Sequence, residues 1–297
     1  MIMLTHSSLH QSPLPQSMAI VYHPTLPAAA KEAEAIAAFL EERGIPHASG
    51  TLDDLELGHC VQCHQYDLLI ALGGDGTMLR AGHLCAAAGI PIMGVNMGHF
   101  GFLYETQRIT WRNDISELLK GNYWLEQRML LHAALYRQEE NLGEWDVLND
   151  VVVCRGAIVR PVKLTAYVDG YLLTTYIADG LIASTPTGST AYALAVGGPI
   201  LPPELRNILI IPVAPHLSVN RGIILPEGAS VSITVNTSHQ AVASLDGQTT
   251  VPMLDGDKVL VTVADQNLKF VRFQDPGYFY RNLTVHMEHN PSSGVSQ

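Results

Sequence analysis

Gly73-Gly74-Asp75-Gly76-Thr77 sets three glycines around one carboxylate, between the apolar run Leu68 to Leu72 and a helix-forming stretch. Absent side chains let a ligand's phosphates reach the backbone, and a helix start offers unpaired N–H groups with a positive partial charge. The carboxylate works against that purpose. At about 4 Å and an effective dielectric of about 20 it repels a unit phosphate charge by about 4 kcal/mol. It is tolerated where it turns away, holds a cation, or accepts a proton from a hydroxyl attacking phosphate. On these five residues alone, a tight turn with a solvated Asp75 is the competing reading.

A second signal is the run from Asp179 to Tyr192, in which five of the seven residues 184 to 190 carry hydroxyls. Rotatable hydroxyls suit phosphate, ribose or base edges, and a helix start just beyond them adds oriented amides. The bland alternative is a Ser/Thr-rich loop with an N-cap. Asn149-Asp150 is a third element, set within the otherwise apolar strand Val147 to Val153. Polar groups there must find a partner or stay at an edge. Cys60-Val61-Gln62-Cys63-His64 satisfies the C-x-x-C-H pattern of haem attachment. With no export signal, haem is disfavoured; zinc through His59, Cys60, Cys63 and His64 is a lesser alternative, and a surface loop is favoured.

These residues need elements to hold them. Met18 to Tyr22 predicts a short strand, and Ala33, Ile36, Ala37 and Leu40 fall at helical spacing, with Gly44 ending that helix. Tyr66 to Leu72 predicts a buried strand, Thr77 to Ala88 a helix closed by Gly89, and Ile90 to Asn96 the next strand. That is a βαβ unit, whose ligands sit where strands end and helices begin. Asn113 is expected to cap a short helix carrying Ile115, Leu118 and Leu119. Beyond about residue 125 the period becomes two, as in Val162, Leu164, Ala166 and Val168, or Val231, Ile233 and Val235. Asp169-Gly170, Asp246-Gly247 and Asp255-Gly256 mark turns between such runs, so this half reads as antiparallel β with one helical insertion at Thr190 to Val196.

The fold class expected is therefore an α/β N-terminal domain followed by a mainly antiparallel β C-terminal domain. The boundaries read as a mobile tail over 1–17, an α/β nucleotide-binding domain over 18–125 with 275–288 returning to it, a β-rich domain over 126–274, and a frayed tail over 289–297. Apolar residues make up 47% of the 297 and charged residues 15%, which supports an extensive core. The net charge of −11 supplies no general basic field for nucleic acid or anionic membrane, although a few oriented N–H groups can still bind a small phosphorylated ligand. Without an export signal or a long apolar run the chain is expected to be cytoplasmic, its four cysteines reduced, with Cys85 and Cys154 in apolar contexts as core thiols.

Taken in order, these segments resemble the NAD kinase family. The likeness rests on Gly73 to Thr77, Gly94 to Leu103, Asn149-Asp150, Ala178-Asp179-Gly180, Ser184 to Tyr192, Gly197-Gly198-Pro199 and Asp246-Gly247-Gln248, and runs from about residue 18 to 285. Asp150 stands where the family more often has Glu, a carboxylate shorter in reach by about 1.3 to 1.5 Å. His99 stands where many members carry Arg, and Ala195 where a hydroxyl is usual.

The resemblance implies transfer of the γ-phosphoryl of ATP to the adenosine-ribose 2′-hydroxyl of NAD, giving NADP. It implies that Asp75 is the proton acceptor or hydroxyl-orienting group, with Gly74, Gly76 and Thr77 lining the phosphate path. Phe102, Asn149, Asp150, Thr187, Thr190, Ala191, Tyr192 and Asp246 would hold the dinucleotide, with Asp179 near its nicotinamide end. Mg²⁺ would accompany ATP, and no protein side chain is assigned as a metal ligand. A homodimer or homotetramer is implied, with neither nucleic acid nor membrane as partner. Two rival readings remain: a noncatalytic NAD(P)-binding sensor, suggested by Asp150 and Ala195, and a lipid or sphingoid kinase sharing the glycine motif.

Overall fold

A computed structural model describes residues 14–98, 101–216 and 219–288, with side chains described to 283. His99, residues 1–13 of the expected N-terminal tail and the whole expected C-terminal tail, 289–297, lie outside the described residues. The chain divides into two compact units, residues 1–127 with 268–297, and residues 128–267.

The first unit begins β1 (Met18–Tyr22), α1 (Pro27–Glu41), β2 (His47–Thr51), α2 (Leu55–Gln62), β3 (Leu68–Gly73), α3 (Asp75–Ala88) and β4 (Ile92–Asn96). There follow β5 (Thr106–Gln107), α4 (Trp111–Leu119) and the start of β6 (Trp124–Arg137). Strands β1 to β5 are parallel, in the order β5-β4-β3-β1-β2. Pro27 opens α1, where its fixed φ fits and its missing N–H costs nothing. That helix buries Ala29, Ala33, Ile36 and Leu40 against the sheet residues Met18, Ile20, Leu68, Ile70 and Leu72. Gly89 ends α3 in the left-handed region, φ +66°.

Several elements differ from the sequence expectation. Helix α3 starts at Asp75, so the carboxylate belongs to its first turn rather than to a loop before it. Helix α4 starts at Trp111, which places Asn113 inside it and leaves Thr110 before it. Cys60 lies within α2 and not in a surface loop, because Leu57 and Val61 bury one face of that helix while Asp54 accepts hydrogen bonds from Glu56 and Leu57 N–H. At its end His59 Nε2 and Cys63 Sγ lie 3.5 Å apart. All four cysteines are free, and Cys85 is fully buried while Cys154 is only partly so.

The second unit holds β7 (Glu140–Val147), β8 (Asp150–Arg155), β9 (Val162–Val168), β10 (Tyr171–Ala178), β11 (Gly180–Ser184), α5 (Tyr192–Ala195), β12 (Asn207–Val213) and β13 (Ile223–Pro226). It continues with β14 (Val231–Asn236), β15 (Ala241–Leu245), β16 (Thr249–Met253) and β17 (Lys258–Arg272), and α6 (Tyr278–Glu288) closes the described chain in the first unit. Strands β6 and β17 cross the division in sequence. Within the second unit β10, β9, β14 and β17 pair antiparallel, and a separate antiparallel sheet runs β13-β12-β11-β8-β15-β16. The core between them takes Leu131, Leu164, Val231 and Ile233 from one side and Val151, Leu181, Ile210 and Ala243 from the other.

Asp169 (φ +51°) and Gly170 (φ +80°) make the two-residue β9–β10 turn, both central residues left-handed as such hairpins require. The outer face of β8, β11 and β12 is also covered, with Val152, Ile182, Leu209 and Ile211 packing on Ala193 and Leu201. That covering layer is the expected helical insertion. It divides into a 3₁₀ turn, Gly188–Thr190, and the single α-turn of α5. The expected strand Val147 to Val153 is broken at Leu148-Asn149, where β7 ends and β8 begins.

Candidate active site

In the first unit, β3 is buried along its whole length and delivers the chain at Gly73 to the start of α3. An added Cβ at Gly73 would lie 2.2 Å from Thr77 Oγ1, so only glycine fits. Gly74 and Gly76 differ: a Cβ on either would meet nothing within 4 Å. Their backbone is open to an approaching group, as phosphate binding at a helix start demands. Thr77 is 2% exposed, and its Oγ1 has no hydrogen-bond partner in the structure, which leaves a buried donor next to that opening.

Asp75 is solvent-exposed as a residue, yet its carboxyl lies against Gly101, where an added Cβ would sit 2.2 Å from Oδ1. Desolvation raises the Asp75 pKa above the ordinary carboxylate value, in the direction a general base at neutral pH needs. Tyr104, 7% exposed, donates its hydroxyl to Gly74 O at 2.7 Å. Burial and the neighbouring Asp75 charge push the Tyr104 pKa well up, so the phenol stays a donor. Phe102, between Gly101 and Tyr104 in sequence, is half-buried.

The second unit gathers another set. Asp246 (φ +52°) and Gly247 (φ +65°) turn β15 into β16. Asp246 is nearly buried and accepts from Leu148 N at 2.7 Å, Asn149 N at 2.7 Å and Asp150 N at 3.0 Å. Asp150 is 5% exposed; burial, helped by the Asp246 charge, pushes its pKa up to about 7. Desolvation also raises the Tyr192 pKa, with the charges of Cys154, Asp179 and Asp150 adding to it. Asp179 pairs with Arg155 at 3.2 Å.

The hydroxyl-rich segment is largely occupied in holding its own shape. Ser184 Oγ donates to Asn149 O at 3.1 Å, Thr185 Oγ1 to Leu148 O at 2.5 Å, Ser189 Oγ to Pro186 O at 2.6 Å and Thr190 Oγ1 to Thr187 O at 3.0 Å. Thr185 Oγ1 also accepts from Gly188 N, and Ser189 Oγ from Leu201 N. Thr187 is buried beside Arg128, 3.5 Å from its guanidinium. The expectation of freely rotating donors is therefore corrected for Ser184, Thr185 and Ser189, each fully buried. Half-buried Thr190 keeps acceptor capacity on its oxygen, and Ala191 and Tyr192 are exposed. Gly188 is required by contact, since an added Cβ would lie 2.1 Å from Asn149 O.

Sequence reasoning missed Arg155, Arg128 and Tyr104. No spacing rule reports a phenol that reaches a carbonyl 30 residues away. Among the described residues, no group of three or more His, Cys, Asp or Glu is placed to hold a metal ion, the His59–Cys63 end of α2 included.

The ATP-NAD kinase N-terminal domain model matches residues 23–123, and the ATP-NAD kinase C-terminal domain model matches residues 148–273. The NAD kinase of Chloroflexus aurantiacus is 36% identical over 273 residues, covering 92% of this chain and 98% of the relative. That of Heliobacterium modesticaldum is 38% identical over 270 residues, covering 89% and 95%. Among solved structures, yeast NADH kinase complexed with NADH superposes with a TM-score of 0.76 at 25% identity, over 97% of this chain and 91% of that one. With both family domains matched in order across a strand–turn–helix that opens on Asp75, the chain belongs to the ATP-NAD kinase family.

Proposed function

We propose that the chain transfers the γ-phosphoryl group of ATP to the 2′-hydroxyl of the adenosine ribose of NAD, giving NADP. The observation that carries the reading is Asp75 in the first turn of α3, its carboxyl set against Gly101 and its pKa raised by desolvation, flanked by two glycines whose backbone is open. In the reaction the 2′-oxygen forms a bond to the γ-phosphorus as the bond from that phosphorus to the β-bridging oxygen breaks. Asp75 accepts the hydroxyl proton, and a pKa shifted toward neutrality favours that transfer. The N–H groups at the α3 start and the buried Thr77 hydroxyl line the phosphate path, and because phosphoryl transfer asks mainly for positioning and charge stabilisation, their fixed dipoles contribute directly.

The donor set around the turn offers one carboxylate, Asp75, which fits a cation carried by the triphosphate rather than a protein cage. Mg²⁺ arriving with ATP supplies neutralisation of the phosphate charge. Asn149, Asp150, Thr187, Thr190, Ala191, Tyr192, Asp246 and Phe102 are assigned to the dinucleotide, Asp246 acting through the 148–150 backbone that it holds. Asp179, paired with Arg155, is assigned to the nicotinamide end. No described helix is long and apolar enough to cross a membrane. We place the chain in the cytoplasm, and read it as a homodimer or homotetramer.

Purified protein incubated with ATP, Mg²⁺ and NAD tests the reading. The expected result is NADP and ADP in equal amounts; NAD binding with no NADP formed would reject it in favour of a sensor.

A further inference from the structure

We propose that Gly101 and Tyr104 are positioning residues that fix the direction of the Asp75 carboxyl, an assignment that rests on the reading of Asp75 as proton acceptor. The first observation is contact. Gly101 leaves only the space that the Asp75 carboxyl fills: a Cβ there would lie 2.2 Å from Oδ1 and 2.7 Å from Oδ2. An Asp in the first helical turn otherwise samples several rotamers toward solvent. Gly101 walls off one side of that range.

The second observation is redundancy in hydrogen bonding. Gly74 O already accepts from Thr77 N at 2.8 Å and Met78 N at 3.1 Å, yet Tyr104 adds its hydroxyl at 2.7 Å. The carbonyl needs no further partner, so the extra bond fixes the position of the peptide that leads into Asp75. Room for the ring is made by Gly94 of β4, where a Cβ would lie 2.7 Å from Tyr104 Cδ1.

The loop that carries both residues is itself clamped. Leu103 O accepts from Arg272 at 3.2 Å, and the Glu105 carboxylate accepts from Phe273 N at 3.1 Å and Gln274 N at 2.6 Å. Arg272, 2% exposed, is held in turn by Glu126 at 2.9 Å, which also accepts from the Tyr278 hydroxyl at 3.0 Å. A network of this kind costs desolvation, and its return is a fixed geometry. The rigid end of β17 thus reaches Asp75 through Leu103, Tyr104 and Gly74.

The test compares Gly101→Ala and Tyr104→Phe with the wild-type chain by steady-state kinetics, NAD calorimetry and a crystal structure of Gly101→Ala. A displacement of about 1 Å costs about 100-fold in rate. Gly101→Ala is expected to lower kcat about 100-fold and Tyr104→Phe about tenfold, with the Kd for NAD within about threefold and the Asp75 carboxyl displaced in the crystal. Unchanged kcat in both variants, a fall in affinity that matches the fall in kcat, or an unmoved carboxyl would overturn the proposal. A wild-type chain that makes no NADP would instead reject the proposed reaction, while a displaced carboxyl in Gly101→Ala would still uphold the contact.

Discussion

Asp150→Asn removes one carboxyl while keeping its size and hydrogen-bonding capacity, and so isolates the energetic effect of ionising that position. In the folded chain the carboxyl pKa lies at about 7 against an ordinary value of 3.8, because Asp150 is buried and faces the Asp246 charge. At about 1.36 kcal/mol per pH unit, that difference amounts to about 4 kcal/mol of destabilisation once the group is ionised in both states. The sign follows from proton counts. Below the unfolded value both states are protonated and nothing is lost; between the two values the folded state holds the extra proton, so stability falls as pH rises; above about 7 the loss is complete. Urea unfolding of wild type and Asp150→Asn, followed by tryptophan fluorescence at pH 5 and pH 8, reads this directly. Wild-type stability is expected to drop by about 2 to 3 kcal/mol relative to the variant across that interval, nearly all of it below pH 7. Parallel stability profiles for the two proteins would refute the reasoning, since they would mean Asp150 keeps an ordinary pKa.

Further outcomes follow from the same geometry. Asp246→Asn keeps one acceptor oxygen and sets an amide donor against one of the three backbone N–H groups it served, a cost of about 1 to 3 kcal/mol in urea unfolding. It also removes the like charge beside Asp150, so the pH-dependent loss from Asp150 in that variant should be smaller and complete at lower pH. Gly188→Ala drives a Cβ to 2.1 Å from Asn149 O, and the loop must shift; a loss of about 1 to 3 kcal/mol is expected, with faster hydrogen exchange over residues 184–190 and weaker NAD binding. Glu126→Gln takes from the buried Arg272 the carboxylate it pairs with at 2.8 Å and should cost about 3 to 5 kcal/mol, read as a lowered urea midpoint.

The elements most legible in the sequence were those whose cause is local. Leu68 to Leu72 runs apolar because β3 is covered on both faces, and Asp169-Gly170 marks a turn because two successive left-handed residues favour that pair. Alternation in Val162 to Val168 follows from a strand with one face in the core. Less legible were features set by distant partners. The hydroxyls of residues 184 to 190 suggest ligand donors by type, but Leu148 O and Asn149 O claim the two at the start of the run. Asp246 was legible as part of a turn and a likeness, whereas its three amide partners 96 to 98 residues away were not. Tyr104 and Arg272 left no periodic trace, since each reaches a backbone carbonyl brought close only by the fold. Asn113 misled because a capping residue type also occurs inside helices, where the buried face of Trp111, Ile115 and Leu118 decides the boundary.

Asp75→Asn, compared with wild type in single-turnover conversion of NAD to NADP and in NAD calorimetry, tests the central claim most directly. An amide of the same shape cannot take the 2′-hydroxyl proton, so the rate should fall at least about 100-fold, the contribution expected of a positioned general base, while the Kd for NAD stays within about threefold. Turnover equal to that of wild type would contradict the account.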